Sequence, residues 1–410
     1  VSLRDIVIIG TGQAGFQVAA SLRQEGYEGR LLMFGDEAGL PYQRPPLSKT
    51  FLKEGHPERL LFRNADFFAA NGIEIQSNTP IASVSPSERS VTTERGNTYH
   101  FDHLVLATGT RNRQLPIPGF NAPNVFGMRT LEDASRIRDR LEMTSEIVVI
   151  GGGFIGLEFT AAAKQLGKKP TVVEAQDRLM ARAVSEPVSE FFLAAHRRNG
   201  VDIRLRQTVL AVETDSSGNA FAVRLSTGER VFSDLILVAA GVVPNCELAY
   251  AAGLKIENGI AVDRTMLTSA PNISAVGDCV SFPLGDRRLR LESVQNAADQ
   301  ARCVARRLTG AVEPYDKLPW FWSDQGADKL QIAGLIEHAD KLVAKRDDET
   351  GRLTVFGFSA ERLCAVETVN RPGDHMAARK VLSASDGIML ADLEASHYRL
   401  KEVFRTVARP

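Results

Sequence analysis

Cysteine is nearly missing from this 410-residue chain: there are four, Cys246, Cys279, Cys303 and Cys364, and none in the first 245 residues. No two of them stand at CxxC spacing, which excludes a zinc ribbon or an early dithiol pair and leaves buried or incidental thiols. An excess of charge of either sign is missing too. A net charge of -1 gives no global attraction to nucleic acid or to an anionic membrane, so an electrostatic partner has to be met by a local patch. Long apolar runs are also absent near the N-terminus, where Ile6 to Ile9 is too short for a signal-peptide core or a membrane span; the expectation is a cytoplasmic protein. Low-complexity tracts and repeats of solenoid length do not occur. What remains is ordinary globular composition, 44% apolar and 24% charged, in a length that suits two or three domains of about 100 to 200 residues.

Hydrophobic patterning supplies the organisation. A strand over Asp5 to Ile9, a glycine turn, a helix from about Ala14 to Glu25 and a strand over Leu31 to Phe34 make a βαβ unit. The same order returns in mid-chain: strand Ile147 to Ile150, glycine turn, helix Phe154 to Leu166, strand Thr171 to Glu174. An apolar strand over His103 to Ala107 ends in Thr108 and Gly109, and a related one over Asp234 to Ala239 ends in Ala240 and Gly241; these read as crossings between two domains. Strand Ile273 to Val276 closes on Gly277 and Asp278, before a helix from about Ser293 to Leu308 that returns to the first domain. From Val312 onward, strands such as Leu330 to Leu335, Lys341 to Lys345 and Leu353 to Phe358 lead into a helical tail. The expected class is α/β, with two Rossmann-type dinucleotide-binding domains and a C-terminal α+β domain.

Each glycine turn has a stated chemistry. Gly10-x-Gly12-x-x-Gly15 and Gly151-x-Gly153-x-x-Gly156 both follow a strand and open a helix, where glycines permit the tight turn and let a diphosphate approach the helix N-terminus. After the second turn the next strand closes on Glu174, whose carboxylate suits ribose hydroxyls and repels a 2'-phosphate. That favours NADH over NADPH, with Arg178 and Arg182 downstream as the opposing signal. After the first turn the usual acid position falls on Gly35, so Asp36 is the expected ribose partner. Two such sites in one chain imply a flavin held in place and a nicotinamide that comes and goes. Gly277-Asp278 marks the flavin site: its carboxylate would accept from the ribityl chain, and the helix start at Val294 and Gln295 would stabilise negative charge on the flavin pyrimidine.

Taken together, Gly10-x-Gly12-x-x-Gly15, Arg44-Pro-Pro-Leu-Ser-Lys49, Ala107-Thr-Gly109, Gly151-x-Gly153-x-x-Gly156, Gly277-Asp278 and Trp320-Phe-Trp-Ser-Asp-Gln325 resemble the FAD-dependent ferredoxin reductases coupled to oxygenases, over essentially the whole chain. The resemblance implies a glutathione-reductase-like fold. Residues 1–108 and 238–312 would form a split FAD domain, 109–237 an inserted NADH domain and 313–410 a C-terminal domain walling the flavin site. It implies FAD contacts from Gly12, Ala14, Asp36, Arg44, Lys49, Ile81, Arg129, Asp278 and Val294, NADH contacts from Ile155, Glu158 and Glu174, and further cofactor contacts from Pro46, Thr108 and Gly241. Cys246, in a run where the family more often has another small residue, is a departure that leaves this chemistry untouched.

The resemblance further implies that Lys49 sits beside the flavin and pairs with Glu158, and that Trp320 and Trp322 cover the ring. Disulfide reductases of this fold pass electrons to a CxxxxC or CxxC pair, which this chain lacks. Its flavin would therefore hand single electrons to an external [2Fe-2S] ferredoxin. Ferredoxins are usually acidic, so Arg302, Arg306, Arg307, Lys380 and Lys401 are docking candidates, Arg302 first. A second class stays open, an NADH-sensing interaction flavoprotein resembling apoptosis-inducing factor, which shares the architecture.

Overall fold

The computed structural model describes residues 3–384 and 387–407. The chain divides into two compact units, Val1–Arg44 with His56–Arg111 and Val242–Lys317, and Pro45–Gly55 with Asn112–Gly241 and Leu318–Pro410. The short stretch carrying Lys49 thus groups with the second unit rather than with the chain that flanks it.

In the first unit, strand Asp5–Ile9 lies at the centre of a five-stranded parallel sheet, between His103–Leu106 and Arg30–Phe34, with Ile273–Ala275 and Ile73–Gln76 at the edges. Its near-continuous apolar sequence follows from burial on both faces, the condition of a parallel sheet covered by helices. One cover is helix Gln13–Gln24, which buries Phe16, Val18, Ala19 and Leu22 and packs along helix Val294–Leu308. Val18 and Leu22 are fully buried, each worth about 1.5–3 kcal/mol relative to exposure. The helix stops at Gly26, whose φ of +83° ends it in the left-handed region.

The second unit repeats this plan. Glu146–Ile150 sits between Lys169–Glu174 and Leu235–Val238 in a parallel sheet edged by Asp202–Leu205 and Val125–Gly127. Apolar runs in the sequence mark the three inner strands but neither edge strand, nor a small antiparallel sheet over Val209–Thr214, Ala220–Leu225 and Arg230–Phe232.

The same unit contains an antiparallel five-stranded sheet in the order Trp320–Gln325, Asp328–Gly334, Arg362–Val369, Arg352–Ser359, Lys341–Asp347. Strand alternation gives it two apolar faces. Leu330, Ile332, Leu353, Val355 and Val369 join the core of the second nucleotide fold, which includes Leu157, Phe159 and Phe192. Ala333, Phe356, Phe358 and Val366 pack instead with Ala377, Ala378 and Val381 of helix Pro372–Leu382. This sheet is what brings the tryptophan run to helix Phe154–Gln165.

Candidate functional site

In the first unit, two glycines of the turn are required by close backbone contacts and the third borders open space. Gly10 has φ of +112°, and a Cβ there would lie 2.2 Å from the Ala107 carbonyl oxygen; on Gly15 it would lie 1.9 Å from the Gly10 oxygen. A Cβ on Gly12 meets nothing within 4 Å. Gly12 caps the helix after it without a side-chain hydrogen bond, so the first-turn N–H groups stay available beside open space. That is the environment a diphosphate needs.

Several other FAD candidates belong to the same unit. A Cβ on Gly277 would lie 2.9 Å from the Ala14 Cβ, and the Gly277 N–H donates to Gln300 Oε1 at 2.8 Å, which ties the Gly277-Asp278 pair to both covering helices. Val294 opens the second of these, behind Ser293, whose hydroxyl accepts from Asn296 N–H. Thr108 donates to the Asn245 carbonyl at 2.7 Å, and the Asn245 amide donates back to the Thr108 carbonyl at 2.9 Å, holding the strand end before Gly109. Ile81 begins strand Ile81–Ser85. An acid at Gly35 is sterically barred, because a Cβ there would fall 2.4 Å from Thr11 Oγ1. Asp36 next to it is exposed, while Glu37 accepts from the Tyr42 hydroxyl at 2.5 Å and pairs with Arg44.

The second unit's turn has the same construction. Gly151 has φ of +110°, its added Cβ would lie 2.4 Å from the Ala239 oxygen, that of Gly156 2.2 Å from the Gly151 oxygen, and that of Gly153 in open space. Helix Phe154–Gln165 also starts without a side-chain cap. Glu174 is fixed where the turn begins: Oε2 accepts from Gly152 N–H at 2.6 Å and Oε1 from Gln176 N–H at 2.7 Å. Ile155, in the first helical turn, is exposed. Arg178, the first signal for a 2'-phosphate, is committed elsewhere, donating to the carbonyls of Ala181 and Val184 and to the Ser189 hydroxyl. Arg182 is exposed, near Gly241.

Lys49 and Glu158, expected as partners, form an ion pair with Nζ 2.6 Å from Oε2. Lys49 comes just after the short turn Pro45–Ser48, whose Pro46 carbonyl accepts the Lys49 N–H at 3.0 Å, and the ammonium also donates to the Pro45 carbonyl at 3.1 Å. Glu158 is only 4% exposed and accepts two further donors, Ser48 Oγ on Oε2 at 2.7 Å and Ser323 Oγ on Oε1 at 2.8 Å. A carboxylate this deep needs such compensation, since an unpaired buried charge costs several kcal/mol. Neither hydroxyl was foreseen. Arg129, in the same unit, donates its N–H to Asp133 Oδ2 at 2.9 Å.

Trp320 and Trp322 alternate with Phe321, Ser323 and Gln325 along their strand, so the two indoles share the face away from Glu158. Their centroids are 5.6 Å apart, and the Arg379 guanidinium stands 4.1 Å from the Trp320 ring. Among the docking candidates, Arg307 requires correction. It is turned inward, donating to the Thr265 carbonyl at 3.1 Å and to the Ser274 hydroxyl, and burial lowers its pKa; a periodic row of arginines does not reveal which one faces the sheet. Arg306 is shared between Glu25 and Glu313, and Arg302 pairs with Asp299 one turn earlier. Lys380 and Lys401 are exposed. The four cysteines are free, and burial pushes the Cys246 and Cys303 thiols up to about 11, which makes them poor nucleophiles.

Known proteins share this fold. Residues 4–301 match the family described as pyridine nucleotide-disulphide oxidoreductase, and residues 320–404 match a reductase C-terminal domain. The chain is 46% identical to rhodocoxin reductase of Rhodococcus erythropolis over 381 residues, covering 92% of this chain and 89% of that one. A solved ferredoxin reductase from Rhodopseudomonas palustris is similar with a TM-score of 0.94 and 43% identity, covering 97% of this chain and 99% of the other. The covalent putidaredoxin reductase-putidaredoxin complex is similar with a TM-score of 0.95 and 37% identity, covering 100% of both chains.

Proposed function

This chain belongs to the pyridine nucleotide-disulphide oxidoreductase family and, within it, to the ferredoxin reductases, and we infer from that premise that it is an NADH-dependent, FAD-containing ferredoxin reductase. Its acceptor is a [2Fe-2S] ferredoxin that feeds a cytochrome P450 or a ring-hydroxylating oxygenase. When bound, FAD takes a hydride from NADH and releases electrons singly to an iron-sulfur acceptor.

The observation that carries the reading is the buried Lys49–Glu158 pair, its carboxylate on the helix that the second glycine turn opens, in a chain whose thiols are scattered and protonated. In this reading Lys49 holds a balanced positive charge beside the reacting ring. Glu174, clamped by two backbone N–H groups, receives the adenosine ribose of NADH and repels a 2'-phosphate. The two uncapped helix starts bind the two diphosphates. Lys380, Lys401 and Arg302 supply positive charge for an acidic ferredoxin. No helix among the described residues is long and apolar enough to cross a membrane, and the free thiols suit a reducing compartment, so the cytoplasm is the proposed location.

The test is anaerobic stopped-flow mixing of the yellow holoprotein with NADH or NADPH, and then with a two-iron ferredoxin. Fast bleaching by NADH, slow bleaching by NADPH and rapid reoxidation by ferredoxin are expected. Bleaching that stalls in a long-lived complex with no electron passed on overturns the reading.

A further inference from the structure

The Trp320-Phe-Trp-Ser-Asp-Gln325 run contains two buried polar side chains that electron transfer does not call for. Ser323 and Gln325 are 0% and 4% exposed, and both lie on the strand face turned toward helix Phe154–Gln165. They form a chain of hydrogen bonds with one direction of donation. His196 Nε2 donates to Gln325 Oε1 at 2.9 Å, Gln325 Nε2 to Ser323 Oγ at 3.4 Å, and Ser323 Oγ to Glu158 Oε1 at 2.8 Å. His196 is itself buried near the end of helix Glu186–Arg198. Its Nε2–H is the donor, because the Gln325 amide oxygen can only accept, and burial holds the His196 pKa below the ordinary histidine value against the opposing pull of Gln325 and Asp328.

Placing four polar side chains in an apolar core is costly unless each has its partner, and apolar residues of similar size would fill the space more simply. The chain ends on the one carboxylate oxygen that Lys49 and Ser48 leave untouched. The terminal torsion of a glutamate is broad, so bonds to Oε2 alone do not fix the plane of the carboxylate. A donor on Oε1 does.

We propose that Ser323, held by Gln325 and His196, is a positioning residue that fixes the carboxylate plane of Glu158 and thereby the direction of the Lys49 ammonium. The proposal rests on the reading of Lys49 and Glu158 as groups at the hydride-transfer site. It gives the buried half of the tryptophan run a purpose separate from the indoles.

The test uses FAD-loaded Ser323→Ala, Ser323→Thr, Glu158→Gln and the Glu158→Gln/Ser323→Ala double variant. One readout is the limiting rate of flavin reduction by NADH. The other, independent of turnover, is the rate at which Lys49 is labelled by an amine-reactive reagent in the absence of nucleotide, measured by mass spectrometry. Ser323→Ala should slow reduction about tenfold and raise Lys49 labelling several-fold, with Ser323→Thr restoring both. Because Ser323 acts through Glu158, the double variant should be no slower than Glu158→Gln alone. Ser323→Ala matching the parent in both readouts, or a double variant slowed by the product of the single effects, overturns the proposal while leaving the function intact. Glu158→Gln reduced at the parent rate overturns the proposal together with the reading it rests on.

Discussion

The two glycine turns are built alike and differ in the helices they open. Gly10 and Gly151 have nearly the same positive φ, Gly15 and Gly156 meet the same carbonyl contact, and Gly12 and Gly153 leave the same open space. Two helical positions break the likeness. Ala14 is buried against Gly277, whereas its counterpart Ile155 is exposed. Gln17 donates to Ser21 of its own helix at 2.9 Å, whereas its counterpart Glu158 is buried among Lys49, Ser48 and Ser323. In the reading proposed above, the common part of the repeat binds a dinucleotide and the chemistry is placed where the repeat is broken.

The largest expected effect comes from disabling one turn at a time. Gly15→Ala forces a Cβ against the Gly10 oxygen and should yield colourless protein without FAD; Gly156→Ala should stay yellow but fail to bleach with NADH. Absorption spectra before and after NADH addition separate the two, and equal FAD loss in both variants would break the assignment of one nucleotide to each turn.

Next in size is Glu174→Ala, which removes the carboxylate held by Gly152 and Gln176. KM for NADH should rise about 10- to 100-fold with little change in kcat, and the preference over NADPH should narrow, as steady-state kinetics with both nucleotides would reveal.

A smaller effect concerns Glu367, fully buried in the C-terminal sheet with both carboxylate oxygens 3.1 Å from Ser185 N–H. Burial pushes its pKa up to about 7, against the Ser185 hydrogen bond and the Arg178 charge. The folded state therefore binds this proton more tightly than the unfolded chain. The stabilisation is complete below the ordinary glutamate pKa and is lost as pH rises through about 7. Glu367→Gln should melt roughly 2–4 °C higher than the parent at pH 8, with the advantage vanishing at pH 5; calorimetry at both values checks this. An equal shift at both would exclude titration of Glu367 as the cause. The buried imidazoles act in the opposite sense. His103, lowered to about 3, and His375, lowered to about 4, should cost stability as pH falls below the ordinary histidine value, because the unfolded chain takes up the protons first.

What could be read from the sequence was what local geometry dictates. The glycines of the turns, the central strands and the covering helices follow from backbone freedom and apolar runs, and Glu174 follows from its place at a strand end. The Lys49–Glu158 pair was legible only through family resemblance, because 109 residues separate its members. Ser323 and His196 were not legible: each contributes through a strand docked 129 to 165 residues away in sequence, and a serine or glutamine in an alternating strand looks like solvent-facing polarity. Arg307 misled for a related reason, since charge spacing on a helix does not say which arginine a neighbouring carbonyl will claim.

On the proposed reading, Glu158 and its partner Lys49 make the second turn chemically active where the first is not. This is tested most directly by the limiting rate of anaerobic flavin reduction by NADH in Lys49→Met beside the parent, at equal FAD content. A fall of at least about tenfold is expected, with the dissociation constant for NADH little changed. An unaltered rate would contradict it and would leave the two turns as equivalent nucleotide holders.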